Sequence, residues 1–438
     1  MTADRRRGLS RREFVRRSVV LGGTVVLPYV VPGRALGKDG AVAPSERVVV
    51  GAIGIGPRGK TVLDSFFAQP DVQFVAICDV RADRREAVKA AADAHHGSND
   101  CVMYRDLRDL LARDDIDAVL IATGDRWHSL GTILAVKSGK DVYSEKPCAL
   151  TIGLCQSMAD AVHRYGRVFQ AGTQRRSIGN FQAAVRLAHS GKLGRLRTLH
   201  ASSYRPRVTH EWLPEEEIPP REVIDWDLWL GPAPWRPYNS AYVNGGWRGH
   251  FDFDSGCRLL DWGAHTVDLC QWANQSDDTL PTDYEASEDK ITARYANGVE
   301  LVIDFLETPF GNRDPLYGTS RGTCPVRYEG DEGWVETGDS GEIAVYPESL
   351  RAELDVPPPV AGTDSMSHVR NFIDCVKSGA RPNANVDVMR RSHIACHAAA
   401  LSWQLGRKLS IDPATEMFIN DDEANRLRFR AMREPWRV

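Results

Sequence analysis

The sequence predicts a two-domain protein, α/β followed by α+β, with a doubly wound parallel sheet first and a mostly antiparallel sheet second. Three observations carry that expectation. An apolar run, Val48-Val-Val-Gly-Ala-Ile53, stops at three glycines spaced Gly54-x-Gly56-x-x-Gly59. Strand-like apolar runs then alternate with helical periodicity as far as Val168-Phe-Gln-Ala171, the order that builds a parallel sheet. After Gln174 the alternation gives way to hairpin signals, the clearest being Asn297-Gly298 between two strand-like runs.

The opening run reads as a strand, a tight turn and a helix start. Backbone amides at a helix N-terminus can face a pyrophosphate there, because glycine allows close approach and unusual backbone angles. A dinucleotide is therefore the expected ligand of Gly54, Ile55, Gly56, Arg58 and Gly59. Pro57 lacks an amide hydrogen, so the expected phosphate donors are the amides of Ile55, Arg58 and Gly59, helped by the Arg58 side chain. Val62, Leu63, Phe66 and Phe67 follow at helical spacing, and the next apolar run, 72–78, ends at Asp79. An acid there, 25 residues beyond Gly54, suits the two adenosine ribose hydroxyls and favours NAD; the alternative is a helix cap, and Arg81 leaves NADP open. Helix 81–94, short segment 102–104, helix 106–111, strand 118–122, helix 128–138, strand 141–144, helix 151–164 and strand 168–171 complete the set. The boundaries expected are 46–175 for a Rossmann-type NAD(P)-binding domain and 176–438 for an α+β domain serving substrate binding and oligomerisation.

In the second domain, helix 180–190 leads to strand 196–204 and a long Pro- and Trp-rich stretch reaching Gly246. Hairpins are expected at 290–307, turning at Asn297-Gly298, and at 326–336, turning near Gly330–Gly333. Helices 365–378 and 386–405 are amphipathic. Asp261 and His265 lie four apart, which on a helix stacks them on one face. Seven of the eleven tryptophans fall between Trp212 and Trp272. Such rings either pack in the core and at a subunit interface or cover the C–H faces of a sugar, whose hydroxyls Arg176, Tyr204 and Arg248 could bond.

Two segments, Ile121-Ala-Thr-Gly-Asp-Arg-Trp-His128 and Asp141-Val-Tyr-Ser-Glu-Lys-Pro147, resemble the signatures of the glucose-fructose oxidoreductase, inositol dehydrogenase and rhizopine-catabolism family, Gfo/Idh/MocA. The resemblance implies that Thr123, His128, Glu145, Lys146 and Gln174 line the cofactor site with the glycine turn and Asp79. It also implies that Lys146, preceding a cis Pro147, sits beside the nicotinamide and the substrate hydroxyl, opposed by Asp261 and His265. The activity implied is hydride transfer between NAD, or NADP, and a hydroxyl-bearing carbon of a sugar, polyol or glycoside; since the periplasm offers little free NAD, a tightly held cofactor is expected. In that reading His265 is the acid/base, Lys146 polarises the oxygen, and Asp261 orients the imidazole or holds a neighbouring hydroxyl. One rival is an NAD-dependent glycosidase that oxidises, eliminates, adds water and reduces; it needs a further base, for which Tyr204 is the candidate. The other is a sugar- or cofactor-binding protein without turnover.

Composition excludes other classes. With 42% hydrophobic and 26% charged residues over 438, and a formal net charge of -4, the chain is ordinary globular protein with no basic footprint for nucleic acid. Nine cysteines, an odd number without a Cys-x-x-Cys pair, argue against a disulfide framework or zinc site. Asp261, His265 and Asp268 share a helical face, but with a single histidine no metal is expected. The N-terminus, with Ser10-Arg11-Arg12-Glu13-Phe14 before an apolar stretch at 18–31, reads as a twin-arginine export signal ending near 37, at the latest near 43. That stretch is short for a stable membrane span. Handling by the twin-arginine translocation machinery, a periplasmic or otherwise exported location and a homo-oligomeric state are expected.

Overall fold

The computed structural model describes residues 42–305, 323–357 and 365–437, so the expected export signal lies outside the described residues. Residues up to Arg47 form one unit, in which a single 3₁₀ turn at Pro44–Glu46 is described; Val48 onward forms the other.

The second unit begins with a six-stranded sheet of β1 (Val48–Ile53), β2 (Val72–Cys78), β3 (Val102–Tyr104), β4 (Ala118–Ile121), β5 (Asp141–Ser144) and β6 (Phe169–Ala171). Its order is β3-β2-β1-β4-β5-β6, and every pair is parallel. The central strand β4 is buried throughout, Ala118 to Ile121, because helices cover both faces. These helices are α1 (Pro57–Phe67), α2 (Ala82–His96), α3 (Leu107–Leu111), α4 (Asp125–Lys137) and α5 (Ile152–Tyr165). In α1, proline occupies the first turn and Val62, Leu63 and Phe66 face the sheet. Strand order reverses between β1 and β4, and the crevice at their carboxyl ends is where such sheets bind ligands.

The second sheet has nine strands: β7 (Leu196–Ser203), β8 (Asp283–Ala286), β9 (Lys290–Arg294), β10 (Glu300–Phe305), β11 (Val326–Gly330), β12 (Trp334–Thr337), β13 (Ile343–Tyr346), β14 (Leu409–Asp412) and β15 (Met417–Phe418). Its order is β13-β12-β11-β7-β10-β9-β8-β14-β15. Both expected hairpins are present, β9–β10 with Gly298 at φ 85° and β11–β12. All its pairs are antiparallel except β7–β10, which run parallel from Thr198 opposite Glu300.

Between these strands the chain forms α6 (Gly179–His189), α7 (Trp226–Leu230) and α8 (Leu260–Ala273), and later α9 (Met366–Ser378), α10 (Val386–Leu405) and α11 (Asp422–Arg426). Helix α8 lies on β7, where Thr266 Oγ1 donates to the Ser202 carbonyl and Ser203 Oγ to the Leu259 carbonyl, each at 2.6 Å. Its Leu260, Ala264, Val267 and Cys270 share a core with Ile394 and Ala398 of α10. A rigid sheet and a second helix thus hold the element that carries Asp261 and His265.

The four tryptophans of the Trp-rich stretch divide evenly between core and surface. Trp226 and Trp229 stack at 4.7 Å in a small cluster with Leu230, Tyr242 and Phe253, while Trp212 and Trp235 are exposed. This stretch is stitched to the end of β2: Ala82 N donates to Val223 O at 2.9 Å, Asp225 N to Val80 O at 3.0 Å, and Arg81 Nη1 to Asn244 Oδ1 at 3.3 Å. All nine cysteines are free and buried.

Candidate active site

The first glycine adopts φ 71°, a left-handed conformation that L side chains rarely take. A β-carbon on Gly54 would sit 2.4 Å from Thr123 Cγ2, and one on Gly59 2.8 Å from Ala122 Cβ, so β1, α1 and the β4–α4 loop close up only without side chains there. The turn opens onto a cavity of about 540 Å³ walled by Gly56, Arg58, Asp79 and Gly124 on one side and by Asn244, Gly245 and Trp247 on the other. Asp79 Oδ2 accepts from the Ile55 amide at 2.9 Å and Oδ1 from the Arg81 amide at 3.0 Å. The Ile55 amide expected at a phosphate is therefore engaged by Asp79. Burial pushes the Asp79 carboxyl up, with Arg84 opposing the shift. Arg81, considered for a 2′-phosphate, pairs with Asp83 at 2.6 Å, and Arg84 lines the cavity.

Beside it lies a second cavity of about 240 Å³ that shares Arg58, Gly59, Ala122, Thr123 and Arg248 with the first. Here the structure brings together Arg58, Thr123, His128, Glu145, Lys146, Arg248, Asp261 and His265 of the residues expected from the sequence. The Lys146–Pro147 bond is cis, and Lys146 Nζ donates to the Asp261 carbonyl and, at 3.3 Å, to Asp261 Oδ1. Arg248 Nη1 lies 3.3 Å from the same Oδ1. Burial works against the Asp261 charge, but Lys146 and Arg248 more than offset it and hold this carboxyl below the ordinary range. The His128 ring sits between the carbonyls of Pro147 (2.6 Å from Nδ1) and Thr123 (3.2 Å from Nε2); burial keeps it neutral, so its single N–H donates to the nearer Pro147 carbonyl, on the loop after β5. Gln174 stands behind the wall, donating to Glu145 Oε1 at 2.6 Å and Tyr143 Oη at 3.0 Å.

His265 is 2% exposed, and its Nε2 lies 3.3 Å from Arg175 Nη1. A guanidinium only donates, so Nε2 accepts and the ring proton sits on Nδ1, which has no partner among the described residues. Burial, then Arg175, Lys146 and Arg58, push this imidazole well below 6.5, so it is neutral at neutral pH. Asp261 was expected to orient the ring or hold a hydroxyl. Its contacts are with the two cations, and Arg175 orients the ring, itself held by Asp339 at 3.0 and 2.7 Å.

Two expected substrate residues lie elsewhere. Arg176 is buried against Asp268 (2.6 Å) and Asp277 (2.6 Å). The 3₁₀ turn Gln174–Ser177 advances about 120° per residue, so Arg175 faces the cavity while Arg176 points into the protein. Tyr204 leans on Trp262 with ring centres 6.0 Å apart and lies 4.3 Å beneath the Arg258 guanidinium, and it lines neither cavity. Arg175, Asp125 and Trp262 line the smaller cavity and were not singled out from the sequence. Only the 3₁₀ phase, invisible in an Arg-Arg pair, distinguishes Arg175 from its neighbour.

A dinucleotide fits what is present: a side-chain-free cradle at the glycine turn, a large crevice at the strand switch, and buried polar atoms at Arg126 Nη1, Trp262 Nε1 and His265 Nδ1 without protein partners among the described residues. Among those residues no His, Cys, Asp and Glu cluster could hold a metal ion. The parallel sheet with its glycine turn and switch-point crevice is the build of a dinucleotide-binding protein. The chain belongs to the Gfo/Idh/MocA oxidoreductase family, whose NAD-binding Rossmann fold matches residues 48–173 and whose C-terminal alpha/beta domain matches residues 204–438.

Among curated relatives, it is 32% identical over 154 residues to a glycosyl hydrolase family 109 protein of Saccharopolyspora erythraea, covering 34% of each chain. It is 38% identical over 148 residues to one of Shewanella sp. strain W3-18-1, covering 31% of each. The matches thus span about a third of those relatives' length. Among solved structures, myo-inositol 2-dehydrogenase of Lactobacillus plantarum superimposes with TM-score 0.59 at 18% identity over 84% of this chain and 100% of that one. The WlbA dehydrogenase of Bordetella pertussis, in complex with NADH and UDP-GlcNAcA, gives TM-score 0.60 at 19% identity over 84% and 98%. At such identity these two speak for the fold alone.

Proposed function

We propose that the protein transfers hydride between NAD and a hydroxyl-bearing carbon of a sugar, polyol or glycoside. The observation that carries this reading is the convergence of Lys146, Asp261 and His265 on a cavity continuous in its wall residues with the cofactor crevice. Bound nicotinamide would supply the hydride acceptor or donor; the chain's own residues handle the proton and the charge. The His265 lone pair at Nε2, where Arg175 now donates, is the acceptor for the substrate hydroxyl proton. Lys146 hydrogen-bonds the oxygen as it gains negative charge, and Asp261 keeps that ammonium in place. An imidazolium among Arg175, Lys146 and Arg58 is unfavourable, so the proton returns readily, which suits reversible transfer.

The large cavity is walled by the segment tied to Arg81, which supports a tightly held cofactor. An enzyme that recycles NAD in place would work where free NAD is scarce, in keeping with export through the twin-arginine pathway and a homo-oligomeric carbohydrate enzyme.

The glycosyl hydrolase family 109 relatives favour a second reading, redox-neutral glycoside cleavage on the same cofactor. Its extra base would come from Asp125 or Glu145 on the cavity wall, since Tyr204 lines neither cavity. One experiment separates the readings: incubation with free sugars and with glycosides, following nicotinamide absorbance and product release together. NADH accumulation on a free sugar supports the dehydrogenase. Product release without net NADH, with solvent deuterium entering the adjacent carbon, supports the glycosidase. If every substrate leaves both signals flat, both readings fall and the binding-protein alternative stands.

A further inference from the structure

The glycine turn is short of phosphate donors. Pro57 has no amide hydrogen, and the Ile55 amide donates to Asp79 Oδ2 at 2.9 Å. A helix N-terminus in this position ordinarily offers several amides to an anion. Beside the turn, on the β4–α4 side, stands a buried cation that forms no ion pair with an acid among the described residues, the Asp125 charge only partly offsetting its burial. Arg126, in the first turn of α4, is 3% exposed. Its Nε donates to the Trp229 carbonyl at 2.7 Å, and its guanidinium carbon lies 3.6 Å from the centre of the Trp229 ring and 5.3 Å from that of Phe253. Its Nη1 has no partner among the described residues. The adjacent Asp125 is turned away, accepting from the Ser255 amide at 3.2 Å and lying 3.9 Å from Arg248.

Burying an unpaired charge is costly unless something compensates it. Burial here pushes the guanidinium down to about 9. The position of Nη1 indicates where compensation comes from. It lies 2.5 Å from the point a Gly124 β-carbon would occupy, and Gly124 lines the cofactor crevice but not the apolar pocket on the other side of Arg126. Gly124 follows Thr123, whose Cγ2 lies 2.4 Å from the point a Gly54 β-carbon would take. Guanidinium, Gly124, Thr123 and Gly54 form one contiguous run across the strand switch.

We propose that Arg126 is a buried anchor for the diphosphate of the cofactor, adding from the β4–α4 side a guanidinium donor to the Arg58 charge at a proline-bearing glycine turn that is short of free amides. This rests on the dinucleotide reading of the crevice and is independent of which sugar is oxidised. The ligand itself completes the ion pair, so the apo protein carries a strained charge that cofactor binding relieves.

The test is titration of the full chain, freed of cofactor, with NAD, ADP-ribose and adenosine, for wild type, Arg126→Gln and Arg126→Lys, together with melting temperatures. Loss of a charge-assisted hydrogen bond predicts that Arg126→Gln binds NAD and ADP-ribose about 10- to 100-fold more weakly, with adenosine affinity unchanged. Arg126→Lys should recover part of the loss. Apo Arg126→Gln should melt at or above wild type, with a smaller NAD-induced rise. Equal affinity of wild type and Arg126→Gln for ADP-ribose would overturn the proposal, as would parallel loss of adenosine and ADP-ribose binding. If Arg126→Gln cannot be purified folded, Arg126→Lys decides by the same ratio of ADP-ribose to adenosine affinity. Wild-type protein that binds neither NAD nor ADP-ribose would remove the dinucleotide reading itself, an outcome distinct from variant and wild type binding alike.

Discussion

Changing each of two glycines in the turn to alanine should break a different thing. Alanine at Gly54 would have to hold φ 71°, which costs about 1–2 kcal/mol for an L residue. Its β-carbon would also lie 2.9 Å from the Thr123 Cα, a backbone atom that cannot swing away, and overpacking of this kind costs about 1–3 kcal/mol. Gly54→Ala should therefore lose about 2–5 kcal/mol of folding stability before any ligand is added, a large share of the roughly 5–15 kcal/mol a domain has. Gly56 is the contrast. Its backbone is extended, and its nearest neighbour would be Arg84 Nη1 at 3.7 Å, ordinary contact. Gly56→Ala should stay within about 0.5 kcal/mol of wild type in stability while binding NAD at least about tenfold more weakly, since the methyl fills the space a pyrophosphate approaches. Urea unfolding of the apo protein and NAD titration measure the two effects separately. The reasoning is refuted if Gly54→Ala unfolds at the wild-type midpoint, or if Gly56→Ala binds NAD as tightly as wild type.

Other outcomes follow from the same geometry. Arg176→Met should destabilise the fold by about 3–5 kcal/mol, because it leaves Asp268 buried without its partner; a rise in KM at unchanged melting temperature would instead return Arg176 to the substrate site. Lys146→Ala should lower kcat about 10²- to 10⁴-fold while NAD affinity moves little, read by steady-state kinetics beside cofactor titration. Burial holds His393 and His397 down to about 3, below the ordinary value near 6.5, so each stabilises the fold fully above pH 6.5 and loses that contribution as pH falls toward 3. Asp254, raised to about 7 by burial and the Asp125 charge, works in the opposite sense, gaining as pH falls through 7. His397→Asn should therefore flatten the acid limb of stability against pH by about 1.4 kcal/mol per unit between pH 6 and 4, measured by urea unfolding at each pH.

The fold was legible where local patterning decides it. The run at 118–121 is apolar at every position because β4 is covered on both faces, and Asn297-Gly298 specifies its hairpin without help from distant residues. The Asp261 and His265 pair was legible because a helix brings i and i+4 to one face. What each does there was not, since that depends on cations arriving from elsewhere: Lys146 and Arg248 at Asp261, Arg175 at His265. The parallel pairing of β7 with β10, Thr198 opposite Glu300, leaves no local trace at all. Arg126 escaped notice for a similar reason: a lone arginine in a helix's first turn looks solvated until Trp229 and Phe253, more than a hundred residues on, close over it.

The bonds that tie the end of β2 to the segment around Val223 and Asn244 bear on how a ligand can reach the crevice. Many two-domain proteins admit their ligands by a hinge that swings the halves apart. Here such a swing would have to tear the paired backbone at Ala82 with Val223 and Val80 with Asp225, and strip Asn244 from Arg81. These bonds hold the Arg81 side of the larger cavity together, so a hinge there is opposed, and the smaller cavity is bordered instead by the side chains of Arg248 and Trp262, which can move without breaking them.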